Sequence, residues 1–118
     1  MPDLPNCFTA LLAAWNETDP ANVRGHLNKA LAPDILFADP HYFIHGIDAF
    51  EAMVHEFHEK YPSPTTEHTS GYNMHNNRYR YNWLVSFGGK PAMPGMDVTE
   101  VNADGLICRI DGFFGSRG

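Results

Sequence analysis

The chain has 118 residues and a formal net charge of -6, with 8 Lys and Arg against 14 Asp and Glu. The basic residues form no run or patch, which argues against a nucleic-acid or anionic-membrane partner. The length fits one compact domain, and the hydrophobic fraction of 43% is typical of an ordinary globular protein.

Localisation signals are missing from the sequence pattern. No apolar run approaches the roughly 20 residues that cross a bilayer, and the first residues lack the basic-then-apolar order of a signal peptide. We therefore expect a cytoplasmic protein with no membrane contact.

Cys7 and Cys108 stand far apart and outside any metal-like spacing, which favours two free thiols over a disulfide or a zinc site.

The first third of the chain predicts two helices. Apolar residues recur at helical spacing over residues 8–15, which predicts a first helix that ends near residues 16–19. Pro20 suits the first position of a second helix, with Asp19 as its N-cap. Residues 32–34, Ala-Pro-Asp, are expected to end that helix.

One strand, one helix and four further strands are predicted after this helix pair. Residues 35–38 predict a strand, 40–46 a loop, and 47–61 a third helix that prolines terminate. The later strands are predicted at residues 66–74, 79–87, 96–102 and 106–114. Helices that precede strands favour an α+β fold, in which a curved, mostly antiparallel sheet wraps around the N-terminal helices. Such a sheet leaves a concave hollow suited to a small ligand.

Asp39 is the first candidate catalytic residue. It follows the apolar strand 35–38 and precedes Pro40, which biases Asp39 toward extended backbone angles. A carboxylate beside apolar surface has a disfavoured charged form, and such a group can act as a base near neutral pH. The alternative is that Asp39 only ends the strand and caps a turn.

Alternation along the predicted strands places aromatic side chains and a second acid together. Every second residue from Tyr79 to Phe87 is aromatic or Val, so one face of that strand is almost wholly aromatic. This face forms either a packed core or the wall of a pocket. On the next strand Asp97 shares a face with Thr99, which makes Asp97 a second candidate buried carboxyl group.

The 7 histidines allow several interpretations. His41 lies just after Asp39 and is a candidate second proton carrier or substrate-orienting group, or else a solvated loop residue. His55 and His58 have helical spacing and, with Asp39 or His41, offer ligands for zinc. Solvated or hydrogen-bonded histidines are the more common outcome of this pattern, so we expect no metal, and we expect no cofactor.

Several short motifs resemble, in their order and spacing, the SnoaL-like branch of the nuclear transport factor 2-like superfamily. They are Asn-Glu-Thr-Asp at 16–19, Phe-Ala-Asp-Pro at 37–40, Gly46, Gly-Met-Asp-Val-Thr-Glu-Val at 95–101, Asp-Gly-Leu-Ile at 104–107 and Gly-Phe-Phe-Gly at 112–115. The resemblance covers nearly the whole chain. It implies that residues 1–118 form one domain, a cone-shaped α+β barrel with a deep pocket between sheet and helices, and that the protein is a homodimer.

The resemblance also implies a chemistry. In the ketosteroid isomerases of this superfamily, an Asp followed by Pro moves a proton, and a neutral Asp on a later strand donates a hydrogen bond to the dienolate oxygen. Asp39 matches the first and Asp97 the second. The family's tyrosine on the first helix is replaced by Leu11, so Tyr79 or Tyr81 would have to supply that hydroxyl. The expected activity is ketosteroid isomerase-like or polyketide cyclase-like proton transfer on a small, largely apolar molecule.

Two alternative functions remain open. Limonene epoxide hydrolases of this superfamily activate water with an Asp-Arg-Asp arrangement, but Arg78 and Arg80 fall on the strand face opposite the aromatic one. We expect that outer face to contact a second subunit. A non-catalytic binding module would use the same pocket without a poised carboxylate. The residues expected to contact the ligand are Leu11, Trp15, Val54, Tyr79, Tyr81, Trp83, Val85, Phe87 and Phe114.

Overall fold

The computed structural model describes residues 5–115, which form three helices and one curved, seven-stranded sheet. The helices are α1 (Asn6–Asn16), α2 (Pro20–Ala30) and α3 (Ile47–Lys60). The strands are β1 (Leu31–Ala38), β2 (Phe43–His45), β3 (Pro64–His68), β4 (Asn73–His75), β5 (Arg78–Phe87), β6 (Lys90–Val101) and β7 (Ile107–Phe114). None of the helices in this part of the chain is long and apolar enough to cross a membrane.

The strand order is β2-β1-β7-β6-β5-β3, and β4 pairs with β5 as well. Every pairing is antiparallel except that of β1 with β7, which is parallel. The sheet is therefore mixed and open rather than a closed barrel. Its curvature around the helices confirms the predicted α+β cone, in which a mostly antiparallel sheet wraps around the N-terminal helices.

Helices α2 and α3 begin where the sequence signals predict. Asp19 caps α2 because its side chain accepts a hydrogen bond from the Ala21 N–H at 3.0 Å. Gly46 precedes α3 with a φ of 96°, a left-handed conformation that glycine adopts without steric cost. The helix then buries Phe50, Met53 and Val54 on one side.

The strands differ from the prediction in four places. β1 begins at Leu31 rather than at residue 35, because α2 already ends at Ala30, before the break expected at 32–34. β2 lies within the predicted loop 40–46, and it pairs antiparallel with the end of β1. The single strand predicted at 66–74 is two strands, β3 and β4, separated by residues 69–72 with a bend at Ser70. β6 begins at Lys90, well before the predicted residue 96, although it contains Pro91 and Pro94.

The register of β6 explains how this strand tolerates two prolines. Its pairing with β7 begins only at Gly95, whereas residues 90–94 pair with β5 alone. One side of this segment is therefore a sheet edge, where a residue that lacks an N–H removes no ladder hydrogen bond. The sequence alone does not show that β7 is absent beside residues 90–94, so the prolines there predict no strand.

Phe50 joins the helices to the sheet. It is fully buried, and its ring lies 5.8 Å from the Trp15 ring of α1 and 5.4 Å from the Phe37 ring of β1. The edge-on contact with Phe37 is the arrangement that aromatic pairs favour. The helical layer and the strand that leads to Asp39 therefore depend on the same side chain.

We expect Phe50→Ala to lower the free energy of unfolding by about 3–5 kcal/mol, because it removes buried contacts and leaves a void between three elements. Phe43→Ala is a matched control, since Phe43 is 79% exposed and should change stability little. Chemical denaturation of both variants measures the difference. Equal and small losses would show that Phe50 does not hold these elements together.

Candidate active site

A cavity of about 390 Å³ lies between the inner face of the sheet and helices α1 and α3. Most of its wall is apolar or aromatic, with side chains from both helices and from β1, β5, β6 and β7. The polar exceptions include Asp39, His41, His68 and Asp97. The cavity thus combines an apolar interior with a few groups that can carry protons, which is typical of small-molecule sites.

Asp97 lies in the middle of this wall. In the sheet register it stands between Tyr81 of β5 and Gly112 of β7. Its Oδ1 accepts a hydrogen bond from the Trp83 indole Nε1 at 2.8 Å, and its Oδ2 lies 3.4 Å from the Tyr81 hydroxyl. The Tyr81 hydroxyl also lies 3.0 Å from the Thr99 Oγ1. Asp97 is therefore held by side chains on its own sheet rather than by solvent.

Burial dominates the electrostatics of Asp97. Desolvation raises its pKa to about 7, although the hydrogen bonds from Trp83 and Tyr81 favour the charged form. The negative charges of Asp39 and Asp111 raise the pKa further. Near neutral pH this carboxyl group exchanges readily between its protonated and ionised forms, so it can act as an acid or as a base.

Gly95 determines where the Trp83 indole lies. A Cβ atom added at Gly95 would stand 2.1 Å from the Trp83 Cζ2, so the indole ring covers this glycine directly. Gly95 and Trp83 are also direct neighbours in the β5–β6 register. Any other residue at position 95 would displace the indole that donates to Asp97.

Asp39 ends β1 and faces the same cavity. Its Oδ1 accepts hydrogen bonds from the backbone N–H groups of His41 and Tyr42, each at 2.8 Å. Asp39 thus caps a turn, as one interpretation of the sequence proposes, and it also lines the cavity. Its Oδ2 accepts no hydrogen bond from the described part of the chain, so one oxygen is available to a ligand.

Gly112 separates the two acids. The position of an added Gly112 Cβ lies 3.1 Å from the Asp97 Oδ1 and 3.4 Å from the Asp39 Cβ. The missing side chain lets the backbone of β7 pass close to both acids. Asp39 and Asp97 therefore border the same small volume of the cavity.

Other predicted site residues divide into two groups. His41 is exposed but borders the cavity, where its ring lies 5.1 Å from that of Phe114. The predicted ligand contacts that also line the cavity are Leu11, Trp15, Tyr81, Trp83, Val85 and Phe114.

Three predicted ligand contacts lie outside the cavity wall. Val54 is fully buried in the core. Tyr79 packs against the ring of Phe8 at 5.1 Å, and Phe87 stacks on Tyr61 at 4.7 Å. Strand alternation places Tyr79 and Phe87 on the inner face of β5, but β5 extends beyond the cavity. These three residues are therefore not part of the wall of this cavity.

Sequence reasoning missed the polar rim of the cavity. Tyr42 donates a hydrogen bond from its hydroxyl to the Glu56 Oε1 at 2.6 Å, which together with burial raises the pKa of Tyr42 to about 12. The Lys60 ammonium lies 5.5 Å from the centre of the Tyr61 ring. Glu56 and Lys60 are one helical turn apart, and this spacing is the only sequence signal that places them on one side of α3.

His68 is the second omission. It is partly buried, it lines the cavity, and its ring stacks on Tyr81 at 4.2 Å. Burial lowers its pKa. The signal for His68 is its alternation with Thr66 on β3, since both residues line the cavity.

The histidine pair considered for zinc has other partners. His55 contacts the Glu51 carboxylate at 3.1 Å, and His58 contacts the Trp15 carbonyl oxygen at 2.7 Å. Within residues 5–115, no three His, Cys, Asp or Glu side chains converge as a metal site would require. The structure therefore provides no support for the zinc alternative in this part of the chain.

No protein-family model and no curated protein matches the sequence. Solved structures do match. A SnoaL-like family protein from Agrobacterium tumefaciens strain C58, provisionally described as an isomerase, is 27% identical with a TM-score of 0.86, over 94% of this chain and 96% of that one. A provisional polyketide cyclase from Sinorhizobium meliloti is 20% identical with a TM-score of 0.74, over 93% and 95% of the two chains.

A third similar structure has no assigned activity. It is a nuclear transport factor 2-like protein of unknown function from Exiguobacterium sp. 255-15, which is 18% identical with a TM-score of 0.76 and matches over 94% of this chain and 99% of its own. The chain therefore has the SnoaL-like fold of the nuclear transport factor 2-like superfamily, as the sequence motifs predict.

The raised pKa of Asp97 predicts a pH-dependent stability. Between about pH 4, where an unfolded Asp ionises, and the native value of about 7, the native state binds one more proton than the unfolded state. Wild-type stability should therefore fall as pH rises through this window, by at most about 1.4 kcal/mol per pH unit from this group.

Asp97→Asn removes this titration and retains an oxygen that accepts from Trp83. We expect the free energy of unfolding of the variant, minus that of the wild type, to be larger at pH 8 than at pH 5. Denaturant unfolding at both pH values measures this difference. Asp104→Asn, a change at an exposed turn residue, is the control and should leave the wild-type pH dependence in place. A parallel pH dependence in wild type and Asp97→Asn would contradict the assignment.

Proposed function

We propose that the protein binds a small, largely apolar molecule in this cavity and catalyses a proton transfer on it with Asp39 and Asp97. The observation that carries the proposal is the pair of carboxyl groups on either side of Gly112 in a mostly apolar wall. A volume of about 390 Å³ falls within the usual range for small-molecule sites.

The two acids suit different steps. The free Oδ2 of Asp39 is the proposed base, which removes a proton from a carbon next to a ligand carbonyl. The electrons of that C–H bond then form a carbon–carbon double bond, and negative charge develops on the carbonyl oxygen. Asp97 has a pKa of about 7, so in its protonated form it can donate a hydrogen bond to that oxygen. Return of the proton to another carbon completes an isomerisation.

The similar structures favour an isomerase or a cyclase over the other candidates. One is provisionally described as an isomerase and another as a polyketide cyclase, and proton removal next to a carbonyl is one way to start a reaction of either class. Epoxide hydrolysis by an Asp-Arg-Asp group has less support, because no arginine lines the cavity among residues 5–115. A non-catalytic module would retain the cavity, and the experiment below separates it from an enzyme.

The test compares Asp39→Asn and Asp97→Asn with the wild type in a screen of flat enones, small polyketides and terpenoid epoxides. For an Asp39-dependent enzyme, kcat for a converted compound should fall at least about 10²-fold in Asp39→Asn, the usual effect of losing a general base, while affinity changes little. Asp104→Asn is the control and should retain wild-type turnover.

Two outcomes would count against this assignment. Equal turnover in the wild type and Asp39→Asn would remove Asp39 as the base, and His41 or Asp97 would be tested next. Binding without turnover of any compound would favour the non-catalytic module.

We also propose that the outer face of the sheet forms a homodimer contact. This face carries the ion pairs Arg78–Glu100 at 3.3 Å and Arg109–Asp111 at 3.0 Å, beside Phe113, which is 55% exposed. Charges of both signs around apolar side chains suit a two-fold contact, in which the same patch meets itself.

Light scattering at micromolar concentration should give twice the monomer mass of 13.2 kDa. Phe113→Lys should shift the protein toward monomer, because it places a charge from each subunit in the contact. Thr9→Lys, at an exposed residue of α1 away from the outer face of the sheet, is the control. A wild-type protein that is monomeric under these conditions would rule out the contact.

A further inference from the structure

His68 stands beside the acid pair but takes no part in the mechanism described so far. It is the last residue of β3, and its neighbour across the β3–β5 pairing is Trp83. Its ring stacks on the Tyr81 ring with centroids 4.2 Å apart and planes 29° apart. Since the Tyr81 hydroxyl in turn lies 3.4 Å from the Asp97 Oδ2, His68 borders the part of the cavity that contains Asp97.

The ring nitrogens of His68 are free, in contrast to those of several other histidines. His26 contacts Glu17 at 2.8 Å, His55 contacts Glu51 and His58 contacts a backbone carbonyl. Neither nitrogen of His68 forms a hydrogen bond with any described residue. Among residues 5–115 no buried side-chain nitrogen or oxygen lacks a hydrogen-bond partner, so the unpartnered ring nitrogens of His68 remain open to the cavity, where a ligand can reach them.

The tyrosine hydroxyls near Asp39 and Asp97 are not available to donate a hydrogen bond to a ligand in the cavity. Tyr79 lies outside the cavity wall. Leu11, which replaces the tyrosine that the ketosteroid isomerases have on the first helix, has no polar group. The Tyr81 hydroxyl is engaged by the Thr99 Oγ1 and by Asp97. Among the described residues around Tyr81, His68 therefore has a ring N–H that is free to point at a ligand.

We propose that His68, as a neutral imidazole, donates its ring N–H to the ligand carbonyl oxygen beside Asp97 while negative charge develops there. The inference rests on the proposed function and extends it by one catalytic residue. Asp39 takes the proton from carbon, the C–H electrons form the enolate double bond, and the carbonyl π electrons move to oxygen. The proton of His68 stays on nitrogen throughout, so His68 stabilises charge without being consumed.

The environment supports the neutral form of His68. Burial lowers the pKa of this imidazole, and no carboxylate of residues 5–115 contacts it in a way that would favour the charged form. A neutral ring has one N–H donor and one acceptor nitrogen. A fixed donor in a desolvated site acts strongly on developing negative charge because it needs no reorganisation during the reaction. The ligand class that fits is a flat ketone or enone whose oxygen points toward β3.

The test uses two flat probes of nearly the same shape, 2-naphthol and naphthalene, so that it needs no natural substrate. The measured quantity is the ratio of their affinities, obtained from naphthyl fluorescence. The wild type should prefer 2-naphthol, and its oxygen should shift the His68 ring ¹⁵N resonance. His68→Phe keeps a ring on Tyr81 but has no N–H, so the preference should fall about tenfold, the upper range for one hydrogen bond.

Further variants make the result specific. His68→Gln retains an N–H donor and should keep part of the preference, whereas His75→Phe, at an exposed residue of β4, should keep all of it. With a ketone that the wild type converts, His68→Phe should lower kcat by about 10²-fold, as loss of one oxyanion donor does.

The proposal is overturned if the wild type shows no preference for 2-naphthol, if it binds neither probe, or if His68→Phe retains the wild-type ratio. The binding measurement involves no turnover. Its failure is therefore distinct from failure of the proposed function, which would appear as unchanged turnover in Asp39→Asn.

Discussion

The hydrogen bond from Trp83 to Asp97 is the interaction on which the rest of the site depends. It places a carboxyl group in the wall of an apolar cavity, where that group would otherwise lose the hydrogen bonds of water. The bond at 2.8 Å requires the indole to lie across Gly95, since any Cβ there would collide with it. A glycine on one strand and a tryptophan on the next together hold the acid in a site that raises its pKa to about 7.

The features that suit this cavity for a ligand also lower the stability of the fold. Burial of Asp97 costs free energy whenever the group is ionised, and the cavity leaves side chains of both helices without packing partners on one side. The remaining core is closed to solvent, with Leu27, Phe50 and Ile107 among its fully buried residues. A desolvated acid with a shifted pKa at one cavity is typical of sites that bind or convert a ligand.

The sequence predicts much of the fold because its local signals agree with one another. Asp19 before Pro20 identifies the start of α2, and strand alternation places Tyr81, Trp83 and Asp97 on the inner face. The same reasoning fails where the outcome depends on distant strands. It does not show that β7 pairs with β6 only from Gly95 onward, which is why Pro91 is tolerated in β6. It also does not show how far the cavity extends along β5, and Tyr79 lies beyond that extent. His68 was missed because its importance arises from stacking on Tyr81, a contact between two strands.

Titration of the Asp97 side-chain carboxyl by ¹³C NMR tests the central claim most directly. The account predicts a midpoint of about 7 for this carbon, well above the value of about 3.9 for an unperturbed Asp. Gly95→Ala should move the resonance and its midpoint, because the indole can no longer lie over residue 95. A wild-type midpoint near 4 would contradict the account, since Asp97 would then be an ordinary solvated carboxylate.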